Sequence, residues 1–288
     1  MATRMVLCLA AVYLIWSSTF RAMAIAVREL PPLLMASLRY SPAGLVMLAV
    51  ARRRGAAWPS VRQWVTVIPI GALLFIGGNG FIAVGEQTVA SSGAAVVCAT
   101  MPLWAAVLSA LSGERPSRRE WLALVIGFVG VVVLLGGPSL AGKPWHIVLV
   151  LASPPCWALG SSLARRAGKA AASHDTFMSS AMQMITGGVA LAVSGVVLGE
   201  RLPTHASAQT WLAVAYLAVF GSLIAFTAYN WLLRHARPVV ATSYAYVNPV
   251  LAVALGAAAS EQVGVSTVIA IVLIIGAVAL VLVKPRTR

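Results

Sequence analysis

The sequence predicts an all-α membrane protein, with ten transmembrane helices arranged as two inverted five-helix repeats. Three observations predict it: too few charges to cover a soluble surface, ten apolar runs with basic residues gathered on one side, and a segment that recurs at a fixed spacing. Apolar residues make up 60% of the 288 and charged residues 10%. A soluble domain carries roughly a quarter charged residues, so most of this surface must face lipid. The net charge is +14, a balance that in a soluble chain points to nucleic acid. Here the basic residues sit in short clusters between apolar runs, which is the membrane-protein distribution and excludes a nucleic-acid partner.

A helix needs about 20 apolar residues to cross the hydrocarbon core. The first half offers Met5–Val27, Leu33–Ala51, Trp64–Val84, Thr88–Leu111 and Glu120–Gly137. The second offers Trp145–Arg165, Thr176–Gly199, Gln209–Leu232, Val239–Ala259 and Val265–Val283. The connections are short and marked by Pro or Gly. Arg4 ahead of an apolar run and the Ala22-Met23-Ala24 triplet resemble a cleavable leader. The first run is long enough to span, however, and is read as a retained helix. Cys8, Cys98 and Cys156 all fall in apolar runs and are read as small buried residues.

With the N-terminus inside, the inner side receives Arg4, Arg52–Arg54, Arg62, Arg115, Arg118, Arg119, Arg165, Arg166, Lys169, Arg234, Arg237, Lys284, Arg286 and Arg288. The outer side receives Arg28, Lys143 and Arg201. This bias places both termini in the cytoplasm, and the alternation supports an even number of spans.

Thr100-Met101-Pro102-Leu103 runs on to Ser112-Gly113-Glu114, and 147 residues later Val247-Asn248-Pro249-Val250 runs on to Ala259-Ser260-Glu261. Each copy has a Pro in mid-span and a Glu twelve residues later. Upstream, Trp16 in the first run matches Trp157 in the sixth. The halves are therefore 1–142 and 143–288. Five helices is an odd number, so the second half enters with the opposite sense, with Glu114 at the cytoplasmic face and Glu261 at the outer face. Inverted repeats are an architecture of secondary transporters.

Trp16, Arg39-Tyr40 and the two Pro-to-Glu segments, Pro102–Glu114 and Pro249–Glu261, resemble the EamA-type members of the drug/metabolite transporter superfamily. The resemblance covers nearly the whole chain and is nearest to YddG-type exporters of aromatic and other neutral amino acids. It departs from the pattern at Met101-Pro102 and Asn248-Pro249, where small or acidic residues are more familiar before Pro. The resemblance implies a multi-pass protein of the bacterial inner membrane that exports small metabolites by alternating access. Multidrug and nucleotide-sugar carriers of the same superfamily are the alternatives. A cationic drug would want a buried acid, and a nucleotide sugar several midplane cations.

The residues suited to such a site are few. Pro102 and Pro249 each remove a helix hydrogen bond and serve as hinges or static kinks. Tyr244 and Asn248, four apart, share a helix face, and Met101 is the repeat equivalent of Asn248. With Trp16, Trp157 and Asn79 of Gly77-Gly78-Asn79-Gly80, they form a candidate pocket for a zwitterion with an apolar side chain. Core packing is the competing reading for each. Trp58, Trp64, Trp121, Trp145 and Trp211 lie near span ends, as interfacial anchors do. Arg39, inside a span, needs a partner or a water cavity. It serves as a fixed structural partner or receives a substrate carboxylate. Glu86, toward the outer end of the third span, is the one acid in the neighbourhood of a span midsection and the one candidate for proton coupling. With so thin a relay, facilitated exchange is the expected mode.

Other signals fail. Gly137 to Lys143 reads GxxxxGK but continues with Pro144, so the Mg²⁺-binding hydroxyl of a P-loop is missing. Ser173-His174-Asp175 has the residue types of a triad, but adjacency in sequence does not make its geometry. Gly195-Val-Val-Leu-Gly199 has the spacing of a helix-packing motif. No His/Cys pattern with metal spacing occurs, so no metal and no cofactor are expected. A membrane-embedded enzyme would need a catalytic cluster at membrane depth, and none is visible. The expected partners are a small-molecule substrate and the bilayer, with the protein a monomer or loose homodimer.

Overall fold

The computed structural model describes residues 1–89, 91–136, 141–170, 175–257 and 265–282, and among them there are helices and connecting turns but no strand. The helices in chain order are α1 (Ala2–Ala26), α2 (Pro32–Arg53), α3 (Val61–Gly85), α4 (Ser91–Cys98), α5 (Met101–Leu111) and α6 (Arg118–Leu134). They continue as α7 (Pro144–Ala170), α8 (Thr176–Val197), α9 (Ala208–His235), α10 (Pro238–Thr242), α11 (Tyr244–Ala257) and α12 (Val265–Leu282).

Six helices, α1, α2, α3, α7, α8 and α9, are long and apolar enough to cross a membrane. The other apolar segments are shorter. The span expected over Thr88–Leu111 is interrupted at Ala99-Thr100, between α4 and α5, and the one expected over Val239–Ala259 at Ser243, between α10 and α11. Pro102 lies in the first turn of α5, directly after the first interruption. Pro249 lies inside α11, beyond the second. The two prolines occupy equivalent sequence positions, but only Pro102 begins a helix, where its missing N–H costs nothing.

Polar residues at helix starts explain several boundaries. Ser60 with Gln63, and Ser117 with Glu120, form reciprocal capping boxes at α3 and α6. Asp175 and Ser207 accept backbone N–H groups at the starts of α8 and α9. Gly199 takes φ +79° just past the end of α8, with nothing within 4 Å of where a Cβ would stand. It is a helix terminator. The Gly195–Gly199 spacing is thus not a packing stripe: Gly195 alone meets a neighbour, Leu34.

Contacts between helix ends fix the direction of each segment. Arg4 lies over Trp231, Arg54 reaches Asp175, Arg165 pairs with Glu114, and Arg237 pairs with Glu120. One end of the bundle therefore collects the arginines. At the other end Glu200 meets the start of α2, Glu29 meets Ser207, and Thr88 meets His146. α2 and α8 pack antiparallel along their length, and α6 packs against α12. Glu114 is exposed at the arginine-rich end, and Glu261 lies outside the described residues. Trp58, Trp145 and Trp211 are exposed at helix ends. Cys8, Cys98 and Cys156 are free thiols, half-buried and not fully enclosed.

Candidate site at the centre of the bundle

Two helices depart from α geometry where they cross the middle of the bundle. α3 is wound as a π-helix over Ala72–Gly80 and α9 over Leu217–Phe226. In α3 the widening closes on Phe81, whose N–H bonds to the carbonyl of Ile76, five residues back. π-turns recur at functional sites. Side chains use the carbonyls of these stretches. Ser153 Oγ donates to Gly78 O at 2.7 Å, Trp16 Nε1 to Gly221 O at 3.2 Å, and Asn79 Nδ2 to Leu74 O at 3.2 Å.

A close approach that only glycine permits occurs at Gly78. A Cβ there would stand 2.4 Å from Cε3 of Trp157, so α7 lies against the backbone of α3. Pro154 and Pro155 precede this contact within α7. They cannot donate to the helix ladder.

Trp16, Trp157 and Tyr244 meet as the sequence anticipates, and Tyr229 of α9 completes the group. Ring centroids are 5.9 Å apart for Trp16–Trp157, 4.6 Å for Trp16–Tyr244, 5.2 Å for Trp16–Tyr229 and 5.6 Å for Tyr229–Tyr244. Edge-to-face and tilted pairs at such separations are favourable beyond their area burial. Polar atoms of the rings are tied in. Trp157 Nε1 donates to the Tyr229 hydroxyl at 3.2 Å, and Ser161 Oγ lies 2.7 Å from the same hydroxyl. Tyr13 reaches Ser243, the residue at the α10–α11 interruption, at 2.6 Å. Asn248 is buried, and its Oδ1 accepts from Ser17 Oγ at 3.1 Å.

The remaining candidates are placed differently. Asn79 turns to α2, where its Oδ1 accepts from the Tyr40 hydroxyl at 3.2 Å. Its amide group braces the wide turn of α3, and the rings of Tyr40, Phe75 and Phe226 connect it to the aromatic group. Met101 is buried in the apolar core at the α4–α5 interruption. Arg39 is buried, with Nε donating to Ser222 Oγ at 3.0 Å and its guanidinium 4.5 Å from the Tyr40 ring centroid. Gly221 makes room for it, since a Cβ there would stand 2.7 Å from the guanidinium. Glu86 stands exposed at the C-terminal cap of α3.

Sequence reasoning missed Tyr229, which is fully buried at the centre of the cluster. It has no aromatic counterpart in the first half, so repeat matching could not reveal it. Ser161 was within reach, since it lies one turn beyond Trp157 on the same face.

Below the cluster, toward the arginine-rich end, lies a cavity of ≈140 Å³. Buried Ser161 and Thr242 line its inner part, and exposed Ser112 and Glu114 its mouth, with Arg165 and Arg166 beside them. Among the described residues no three His, Cys, Asp or Glu side chains come together as metal ligands.

The sequence pattern of the EamA-like transporter family matches residues 3–136 and 144–283. Among curated proteins, the Escherichia coli K12 protein named "Uncharacterized inner membrane transporter YedA" is 42% identical, over 85% of this chain and 79% of its own length. "Uncharacterized transporter YvbV" of Bacillus subtilis is 24% identical over 99% of this chain and 94% of its own. A solved crystal structure aligns with TM-score 0.79 at 23% identity, covering 97% of each chain, and establishes likeness of fold alone.

Proposed function

The chain belongs to the EamA-like transporter family, and from that premise we propose that it exports small neutral metabolites, aromatic amino acids foremost, across the bacterial inner membrane. The observation that carries this reading is the aromatic group of Trp16, Trp157, Tyr229 and Tyr244, joined through Ser161 to a cavity lined by several hydroxyls. Aromatic faces and edges suit an apolar or aromatic side chain. Hydroxyls and the Asn248 amide suit the polar head of the same solute. A mainly apolar pocket with a few placed polar groups is the common form of a small-molecule site.

In this reading ten spans form two inverted five-helix halves, 1–142 and 143–288, with both termini cytoplasmic. Trp16, Trp157, Tyr244 and Asn248 face the solute, with Met101 behind them. The halves rock about this midplane group, the α4–α5 and α10–α11 interruptions near Pro102 and Pro249 absorbing the change. The arginine-rich end is cytoplasmic by its charge, so the cavity is an inward vestibule. Arg39 and Asn79 hold the frame. With Glu86 exposed at a helix end, transport runs as facilitated exchange.

Counterflow of a labelled amino-acid panel in proteoliposomes, with and without a pH gradient, tests the reading. Flux of aromatic amino acids above empty liposomes, insensitive to the gradient, is the expected result. Trp157→Ala should change the order of preference among substrates while the protein stays folded. No amino-acid flux from wild type would sink the substrate assignment, and an unchanged order in the variant would return Trp157 to packing.

A further inference from the structure

We propose that the ion pair between Glu114 and Arg165 is the docking element for the α-amino and α-carboxylate groups of a zwitterionic substrate, which replaces the pair's two members for one another as it enters. The inference rests on the export reading above and extends it from the aromatic group to the mouth of the vestibule.

The pair joins the end of α5, in the first half, to the end of α7, in the second, and both members line the cavity. Their side chains are 43% and 16% exposed, so water reaches the pair while Arg165 remains largely enclosed. A pair so placed is weak and its members exchange partners readily. Arg165 also keeps a spare donor. Its Nε is buried and has no hydrogen-bond partner among the described residues. A buried guanidinium N–H without an acceptor is costly, and a carboxylate entering the cavity would supply one. A guanidinium offers two parallel donors to a carboxylate, which favours this ligand over a single-point acceptor. Arg166 stands aside, its guanidinium donating to Ser112.

The second observation is spacing. Arg165 lies four residues beyond Ser161, on the same face of α7, and Ser161 touches the Tyr229 hydroxyl. Four residues is about 6 Å of helix rise. A solute whose charged head replaces the ion pair therefore directs its side chain along α7 toward the aromatic group. A zwitterion can satisfy both members at once: its ammonium takes Glu114 and its carboxylate takes Arg165. A singly charged solute satisfies one and strands the other. The mouth thus selects for paired opposite charges, and the two halves lose a direct tie when the substrate is seated.

The test uses the full-length protein in liposomes with phenylalanine counterflow. The competitors are phenylalaninamide, which lacks the carboxylate, and N-acetylphenylalanine, which lacks the ammonium. Glu114→Gln and Arg165→Gln should each raise the half-saturating phenylalanine concentration about tenfold. Glu114→Gln should lower the competition by the amide relative to the N-acetyl compound, and Arg165→Gln should do the reverse. An unchanged ratio in both variants, whatever their rates, makes the pair a brace between helices and overturns the proposal. Wild type in which either singly charged analogue competes as well as unlabelled phenylalanine overturns it too. Absence of phenylalanine counterflow in wild type removes the export reading itself, an outcome distinct from the other two.

Discussion

The two ends of the bundle are held by different chemistry. At the arginine-rich end the ion pairs run between side chains, Glu114 with Arg165, Glu120 with Arg237 and Arg54 with Asp175, and Arg237 also donates to the carbonyl of Val281. At the opposite end carboxylates grip backbone. Glu200 accepts the N–H of Leu33 at 3.2 Å and of Leu34 at 2.8 Å, in the first turn of α2, and Glu29 accepts the N–H of Ser207 at 2.7 Å. There the Thr88 hydroxyl also links His146 to the N–H of Lys143. A bond to backbone fixes the position of a helix end, whereas a pair of long side chains can part and re-form without moving either backbone. The cavity beside the aromatic group lies at the end whose ties are exchangeable.

The sharpest way to break this contrast is Glu200→Ala. It strips two charge-assisted bonds from a helix N-terminus, where an anion also meets the favourable end of the dipole. The expected cost is about 3 kcal/mol, read as a fall in thermal unfolding temperature in detergent. A shift no larger than that of any arginine-end variant would erase the distinction.

Glu120→Gln comes next. Glutamine keeps the capping box with Ser117 but removes the charge partner of Arg237, whose side chain is 43% exposed. Solvent screening holds the loss to about 1 kcal/mol or less, and added salt should shrink the gap between variant and wild type. A salt-independent gap would point to packing instead.

The smallest effect belongs to Glu29→Gln, because Glu29 is solvent-exposed. The Ser207 backbone N–H, with the Ser207 and Thr210 hydroxyls, holds the Glu29 carboxyl below its ordinary value of 4.5. Its contribution is therefore fully present above that value and disappears as pH falls through the lowered one. Unfolding profiles of wild type and variant should differ slightly at neutral pH and converge in acid. Divergence on acidification would reverse the sign and remove Glu29 from the set of anchors.

Much of the fold was legible because lipid imposes a coarse rule: long apolar runs and basic ends. The runs place the long helices, and the arginines gather at one end of the bundle. What periodicity could not register was irregular winding. A π-turn leaves no mark in an apolar run, so α3 and α9 read as ordinary helices. The interruption at Ser243 falls six residues before Pro249, where no Gly or Pro announces it. In the site, Trp16, Trp157 and Tyr244 were visible as aromatics deep in spans. Tyr229 was not, since it lacks a repeat partner. Asn79 was placed by its glycine neighbours, yet its orientation depended on the wide turn and on Tyr40.

The π-wound stretches of α3 and α9 carry one implication more. An α-helix advances 3.6 residues per turn, and bonding five residues back enlarges the loop, so such a stretch holds surplus chain for the turns it makes. That surplus turns outward the carbonyls of Gly78 and Gly221, which hold Ser153 of α7 and Trp16 of α1. Sequence length at these two places is thus itself a structural quantity. Chain that packs no side chain of its own provides the sockets into which neighbouring helices plug.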